Sequence, residues 1–136
     1  MRRYLIILLT LITAVIHFYF WYDFVIVQGE KILLFQSFLL NAIGYLGLLG
    51  LLYLPIGLPN SIHRYVRPLF IGYTALTIIL YIYFSATSGA WSVPLAPIAK
   101  VDEAILIWQL WAEGRAEMPV PTSQPSDSTR KSDAML

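Results

Sequence analysis

"PLAPIAKVDEAILIWQLW", residues 94–111, decides how many times this chain crosses a membrane. The stretch is apolar enough to enter lipid, yet Lys100, Asp102 and Glu103 stand together near its front. As a helix, residues 95–111 would be about 25 Å long at about 1.5 Å per residue. That is short against a hydrocarbon core of about 30 Å. The alternative is a helix lying flat in the interface, polar along one side. A helical projection puts Lys100 and Glu103 on one face and Asp102 and Gln109 nearly opposite. Polarity concentrated at one end is the pattern of a span entering from water, so residues 95–111 are read as a fourth span.

The rest of the chain supplies the other three. Of its 136 residues, 58% are hydrophobic and 12% charged, against about 25% charged in soluble domains. Mean hydropathy is +0.68. Apolar runs long enough to span, about 20 residues each, cover residues 4–22, 32–54 and 66–84. Between them lie "DFVIVQGEK", "PIGLPNSIHRYVRP" and "SATSGAWSVPLAP", each carrying charged residues or the glycine and proline that break helices. The start, "MRRYLIILLTLITAVIHF", resembles a signal peptide. It runs on into bulky "HFYFWYDF" where small cleavage-site residues are expected. It reads as an uncleaved first span with Trp21 and Tyr22 as interfacial anchors.

These runs predict an all-α fold, a transmembrane four-helix bundle over residues 1–112. The remainder, residues 113–136, is rich in proline, serine and polar residues and reads as a disordered tail. Lysine and arginine favour cytoplasmic loops. With both termini inside, Arg2, Arg3, Arg64, Arg67, Arg115, Arg130 and Lys131 fall on the cytoplasmic side, and only Lys31 and Lys100 fall outside. That bias favours an even number of crossings. The expected location is the cell (inner) membrane of a prokaryote, with the lipid bilayer as first partner and other membrane subunits as further ones. A net charge of +1 offers no field to attract nucleic acid. The chain has no cysteine, which excludes disulfides, thiolate catalysis and an iron–sulfur cluster held by this chain.

Polar residues inside spans are costly and usually face the bundle interior. Counted from the proposed outer ends at the helical rise, His17 lies about 8 Å deep, Thr77 about 10 Å, Glu103 about 12 Å and Asn41 about 14 Å. His17, Asn41, Thr77, Lys100, Asp102 and Glu103 therefore form a candidate cluster in the outer half of the membrane. Each has a structural alternative. His17 suits a haem iron or a proton, or simply a hydrogen bond to a neighbouring helix. A second haem histidine is wanting, since His63 falls in the opposite loop. Lys100 and Glu103 pair at i, i+3, and Asp102 and Glu103 complement a helix N-terminus, so helix-end electrostatics alone explains them. Ser37, Gly44, Gly47 and Gly72 are read as helix-packing positions, where small residues allow close approach.

"VIHFYF", "LLNAIGYLGLLGLLYLP", "IGYTALTIILY" and "IAKVDEAILI" together resemble uncharacterised small four-span membrane proteins of bacteria and archaea. The resemblance covers residues 10–112 and implies fold and membrane location, with no activity. No P-loop, nucleotide fingerprint, metal pair or nucleophile–base motif is present, so the expectation is a non-enzyme without a metal site. The leading expectation is a structural or accessory subunit of a membrane complex. The alternative is a binder of a quinone, haem or lipid, or a small transporter, using the polar cluster. The residues do not name a cofactor.

Overall fold

The computed structural model describes residues 1–55, 57, 59–88 and 95–117, and all regular structure among them is helical. The helices are α1 (Arg2–Trp21), α2 (Leu33–Tyr53), α3 (Asn60–Ser88) and α4 (Leu95–Ala116). A widened π-helical turn, Tyr22–Val27, prolongs α1. Three of these segments, Arg2–Val27, Leu33–Tyr53 and Asn60–Thr87, are long and apolar enough to cross a membrane.

The helices pack in a ring. α1 touches α2 and α4, and α3 closes the far side against both. Consecutive helices run antiparallel, because the start of α1 meets the ends of α2 and α4: Arg3 donates to the Tyr53 carbonyl at 3.3 Å and Arg2 to that of Ala112 at 3.1 Å. On α1 the buried residues Ile6, Leu9, Thr10, Thr13, Ala14, His17 and Phe20 recur at helical spacing. They form one inward stripe.

The outer surface is apolar on every helix. Leu8 and Val15 on α1, Leu40 and Ile43 on α2, and Leu76 and Ile79 on α3 are all exposed. α4 does the same in the sharpest form. It exposes Ile98, Val101, Ile105 and Trp108 while burying Asp102 and Glu103. An amphipathic helix turned inside out in this way has its charges on the packed face and its hydrocarbon on the free one.

Three of the expected boundaries change. α3 begins at Asn60, because the Pro59 carbonyl accepts from the backbone amides of Ile62 and His63 at 2.9 and 3.0 Å. His63, Arg64 and Arg67 are therefore helical. Pro68 also lies inside α3, near its start, where the carbonyl it leaves unbonded is close to the exposed end. α3 also continues through Ser85–Ser88, expected to be loop. α4 runs five residues past Trp111, so Glu113–Ala116 are helix and not tail. The disorder expected of residues 118–136 lies outside the described residues.

At 22 residues, α4 is about 33 Å long, close to the lengths of α1 and α2. Between the two ends of the ring, Leu48, Leu52, Val66, Phe70, Leu106 and Leu110 pack into one apolar core.

Candidate functional site

Glu103 is the centre of the polar cluster, with 0% of its surface exposed. It sits on the third turn of α4, three residues after Lys100. That spacing lets the Lys100 ammonium reach both carboxylate oxygens, at 2.8 and 2.7 Å. From α3 the Thr77 hydroxyl approaches Glu103 Oε2 at 3.1 Å and lies 2.8 Å from the Thr74 carbonyl. The Tyr45 hydroxyl from α2 is 2.8 Å from Thr77 Oγ1. Thr77 has one proton, and both Thr74 O and ionised Glu103 only accept. When that proton goes to either of them, Tyr45 is the donor to Thr77. α1 contributes His17, which is 4% exposed, with Nε2 3.7 Å from Glu103 Oε1. Its Nδ1 is 2.9 Å from the Thr13 carbonyl. A carbonyl only accepts, so Nδ1 carries hydrogen, and Nε2 faces Glu103 from beyond hydrogen-bond distance.

Asp102 belongs to a different contact. It faces α1, where the Thr13 hydroxyl donates to Oδ2 at 2.5 Å. Asn41 is separated from Glu103 as well. It accepts from the Tyr73 hydroxyl at 2.8 Å. Thus His17, Thr77, Lys100 and Glu103 converge directly, Asp102 pairs with Thr13 beside them, and Asn41 joins through a cavity.

That cavity has a volume of about 500 Å³. Its polar lining is His17, Asn41, Ser37, Thr77 and Lys100, and the rest is almost wholly apolar or aromatic. One wall is built by the π-helical turn, which carries Phe24 onto Phe35 with ring centroids 4.5 Å apart and planes within 8°. Phe20 and Phe38 complete that wall, their rings 5.6 Å apart. The opposite wall is α3, with Leu80, Tyr83 and Phe84. The α2–α3 seam beside the cavity is the thinnest of the four helix contacts. Pockets of this size and make-up, apolar with a few convergent polar groups, are characteristic of small-molecule sites.

The packing positions need correction. Gly44 does allow a close approach, since a methyl there would overlap the Tyr73 hydroxyl on its way to Asn41. Gly47 and Gly72 have open space around their α-carbons. A step of three residues turns about 60° short of a full circle, which carries Gly47 off the face that Gly44 presents to α3. The Ser37 hydroxyl turns back to the Leu34 carbonyl at 2.5 Å, and the residue lines the cavity. Tyr45 and Thr13 were missed in the sequence. Both were findable, because Tyr45 follows Asn41 by four residues and Thr13 precedes His17 by four, each on a shared stripe.

At the other end a second charged group ties the helices together. The Tyr53 hydroxyl donates to Glu113 at 2.7 Å. Arg67 reaches Glu113 at 3.3 Å and both oxygens of Glu117 at 2.8 and 3.0 Å. His63 is here too, with Nε2 3.2 Å from the Leu52 carbonyl, at the opposite end of the ring from His17. Among the described residues no three His, Cys, Asp or Glu side chains gather to hold a metal ion.

No family model, curated protein or solved structure matches this chain. Its functional reading rests on the geometry of the site alone.

Proposed function

We propose that this protein is a four-span integral membrane protein of a prokaryotic cell membrane, and that it holds a lipid-soluble small molecule in the cavity between α1, α2, α3 and α4. The observation that carries the reading is the convergence of a buried Lys100–Glu103 pair, His17, Thr77 and Asn41 on one aromatic-lined cavity. Buried charges inside lipid are rare and mark sites by default. A helix that only had to pack would have had no use for one facing an open space.

Two observations support α4 as the fourth span. Its free face is hydrocarbon, and its far end is tied to Arg2, Tyr53 and Arg67 at the level where the other helices end. The charge bias then puts both chain ends on the cytoplasmic side. A single cysteine introduced near the C-terminus, in a chain with none of its own, tests this. It is expected to resist a membrane-impermeant maleimide in intact cells and to react after lysis. Ready labelling of intact cells would reverse the orientation.

Purification in mild detergent followed by organic extraction and mass spectrometry tests the binding reading. A lipophilic molecule is expected to co-purify in near-stoichiometric amount and to be lost when Leu80→Trp fills the cavity. Extracts from the two proteins that do not differ would sink it. The accessory-subunit reading draws on the same lipid-facing surfaces, and a stable larger partner on native gels is its readout.

A further inference from the structure

The charges and donors around the cavity restrict what can occupy it. Both oxygens of Glu103 are held by Lys100, and the two side chains are 0% and 16% exposed. The wall is therefore electrically neutral although it carries an ammonium group. A fatty-acid carboxylate entering the cavity would draw Lys100 away and leave Glu103 an uncompensated buried charge, which is strongly unfavourable. A cationic guest would meet Lys100 directly. The guest is uncharged.

It is also an acceptor. Among the described residues, Lys100 directs two N–H bonds at Glu103 and lies 5.5 Å from the centre of the Tyr81 ring, a weaker contact that leaves its third N–H for a guest's oxygen. Asn41 uses its carbonyl oxygen to accept from Tyr73, which leaves its NH₂ as the group available to the cavity. The polar lining thus offers donors. Around it, Phe24, Phe35 and Phe38 line the cavity with ring planes within 24° of one another, a lining on which a planar ring can stack offset or edge-on. The thin α2–α3 seam gives an aliphatic tail a way into lipid.

We propose that the guest is a lipid quinone. In this arrangement its ring lies against the phenylalanine wall, its carbonyl oxygens accept from Lys100 and Asn41, and its isoprenoid tail leaves between α2 and α3. The proposal rests on the binding reading above and specifies its ligand class.

Calorimetric titration of the extracted, delipidated protein in nanodiscs with decyl-ubiquinone, and separately with palmitate, tests it. The wild-type protein is expected to bind decyl-ubiquinone in preference to palmitate. Asn41→Leu, which leaves the ion pair intact, is expected to weaken quinone binding about fivefold, the scale of one neutral hydrogen bond. Lys100→Met is expected to weaken it about tenfold or more. Glu103→Gln removes the charge that excludes anions, so it is expected to shift preference toward palmitate by about tenfold or more. Wild-type preference for palmitate, or quinone affinity unchanged in Asn41→Leu, overturns the quinone assignment and leaves the binding site standing. Binding of neither probe overturns both. Unfolding of Lys100→Met would leave the decision to Asn41→Leu and the palmitate comparison.

Discussion

The two ends of this molecule use the same chemistry in opposite settings. At one end Arg67 meets Glu113 and Glu117; at the other Lys100 meets Glu103. Glu117 is 61% exposed, whereas Glu103 has no exposure at all. The Arg67 group lies where α1, α2, α3 and α4 all end or begin, and it works as a clasp whose members can share their charge with water. The Lys100 group is closed in by three other helices and, among the described residues, opens onto a largely apolar cavity. Ion pairs alone therefore do not mark a site. What separates the ends is where the charges sit relative to solvent and to empty space.

Breaking each end separately should make that contrast measurable, by unfolding in mixed micelles. Glu103→Leu strands Lys100 in the interior and should destabilise by about 3–5 kcal/mol. Adding Lys100→Met should recover most of the loss, because apolar replacement of a whole buried pair is often neutral. A double variant no more stable than the single one would show that Glu103 contributes through Thr77 and Tyr45 instead. Next in size is Thr13→Val, which removes the donor to buried Asp102 and should cost about 1–3 kcal/mol.

The clasp should respond less. Arg67→Ala should cost about 1 kcal/mol or less, since its partners are partly or largely exposed. The loss should shrink further in 1 M salt, where the screening length falls to about 3 Å, while the effect of Glu103→Leu stays constant. An equal salt response at both ends would contradict the difference in burial. Smallest is Gly44→Ala. The added methyl displaces Tyr73 from Asn41, a loss of about 1 kcal/mol. Helix propensity returns about as much, so stability should hardly move. Nuclear magnetic resonance of labelled Tyr73 should nonetheless report a changed hydroxyl environment.

The sequence made depth legible and rotation much less so. Counting residues from the span ends set His17, Thr77 and Glu103 at similar levels, because helical rise is nearly constant. It could not say that Asn41 turns to Tyr73 while Thr77 turns to Glu103, since that depends on how each helix is rotated against its neighbours. The length of α4 was hidden for a different reason. Hydropathy falls away at "AEGRAE", yet alanine, glutamate and arginine are good helix formers, and Arg67 and Tyr53 anchor the charged turn from outside. Gly44 and Gly47 were both read as packing positions, but three-residue spacing drifts around a helix. The polar end of the cavity was expected from His17 and Asn41, but its shape was not legible, for it is made by the π-helical turn after Trp21 and by the loose seam between α2 and α3.

The apolar core between the two ends has an electrical consequence. Glu103 and Glu113 are ten residues apart on α4, or about 15 Å along the helix. The side chains packed alongside that interval include Leu48, Leu52, Val66, Phe70, Leu106 and Leu110. A polar pocket that reached halfway into a bilayer would ordinarily thin the barrier against ion leakage. Under the four-span reading proposed above, a layer of leucine, valine and phenylalanine would restore that insulation, so that charged groups could sit within the membrane without short-circuiting the voltage across it.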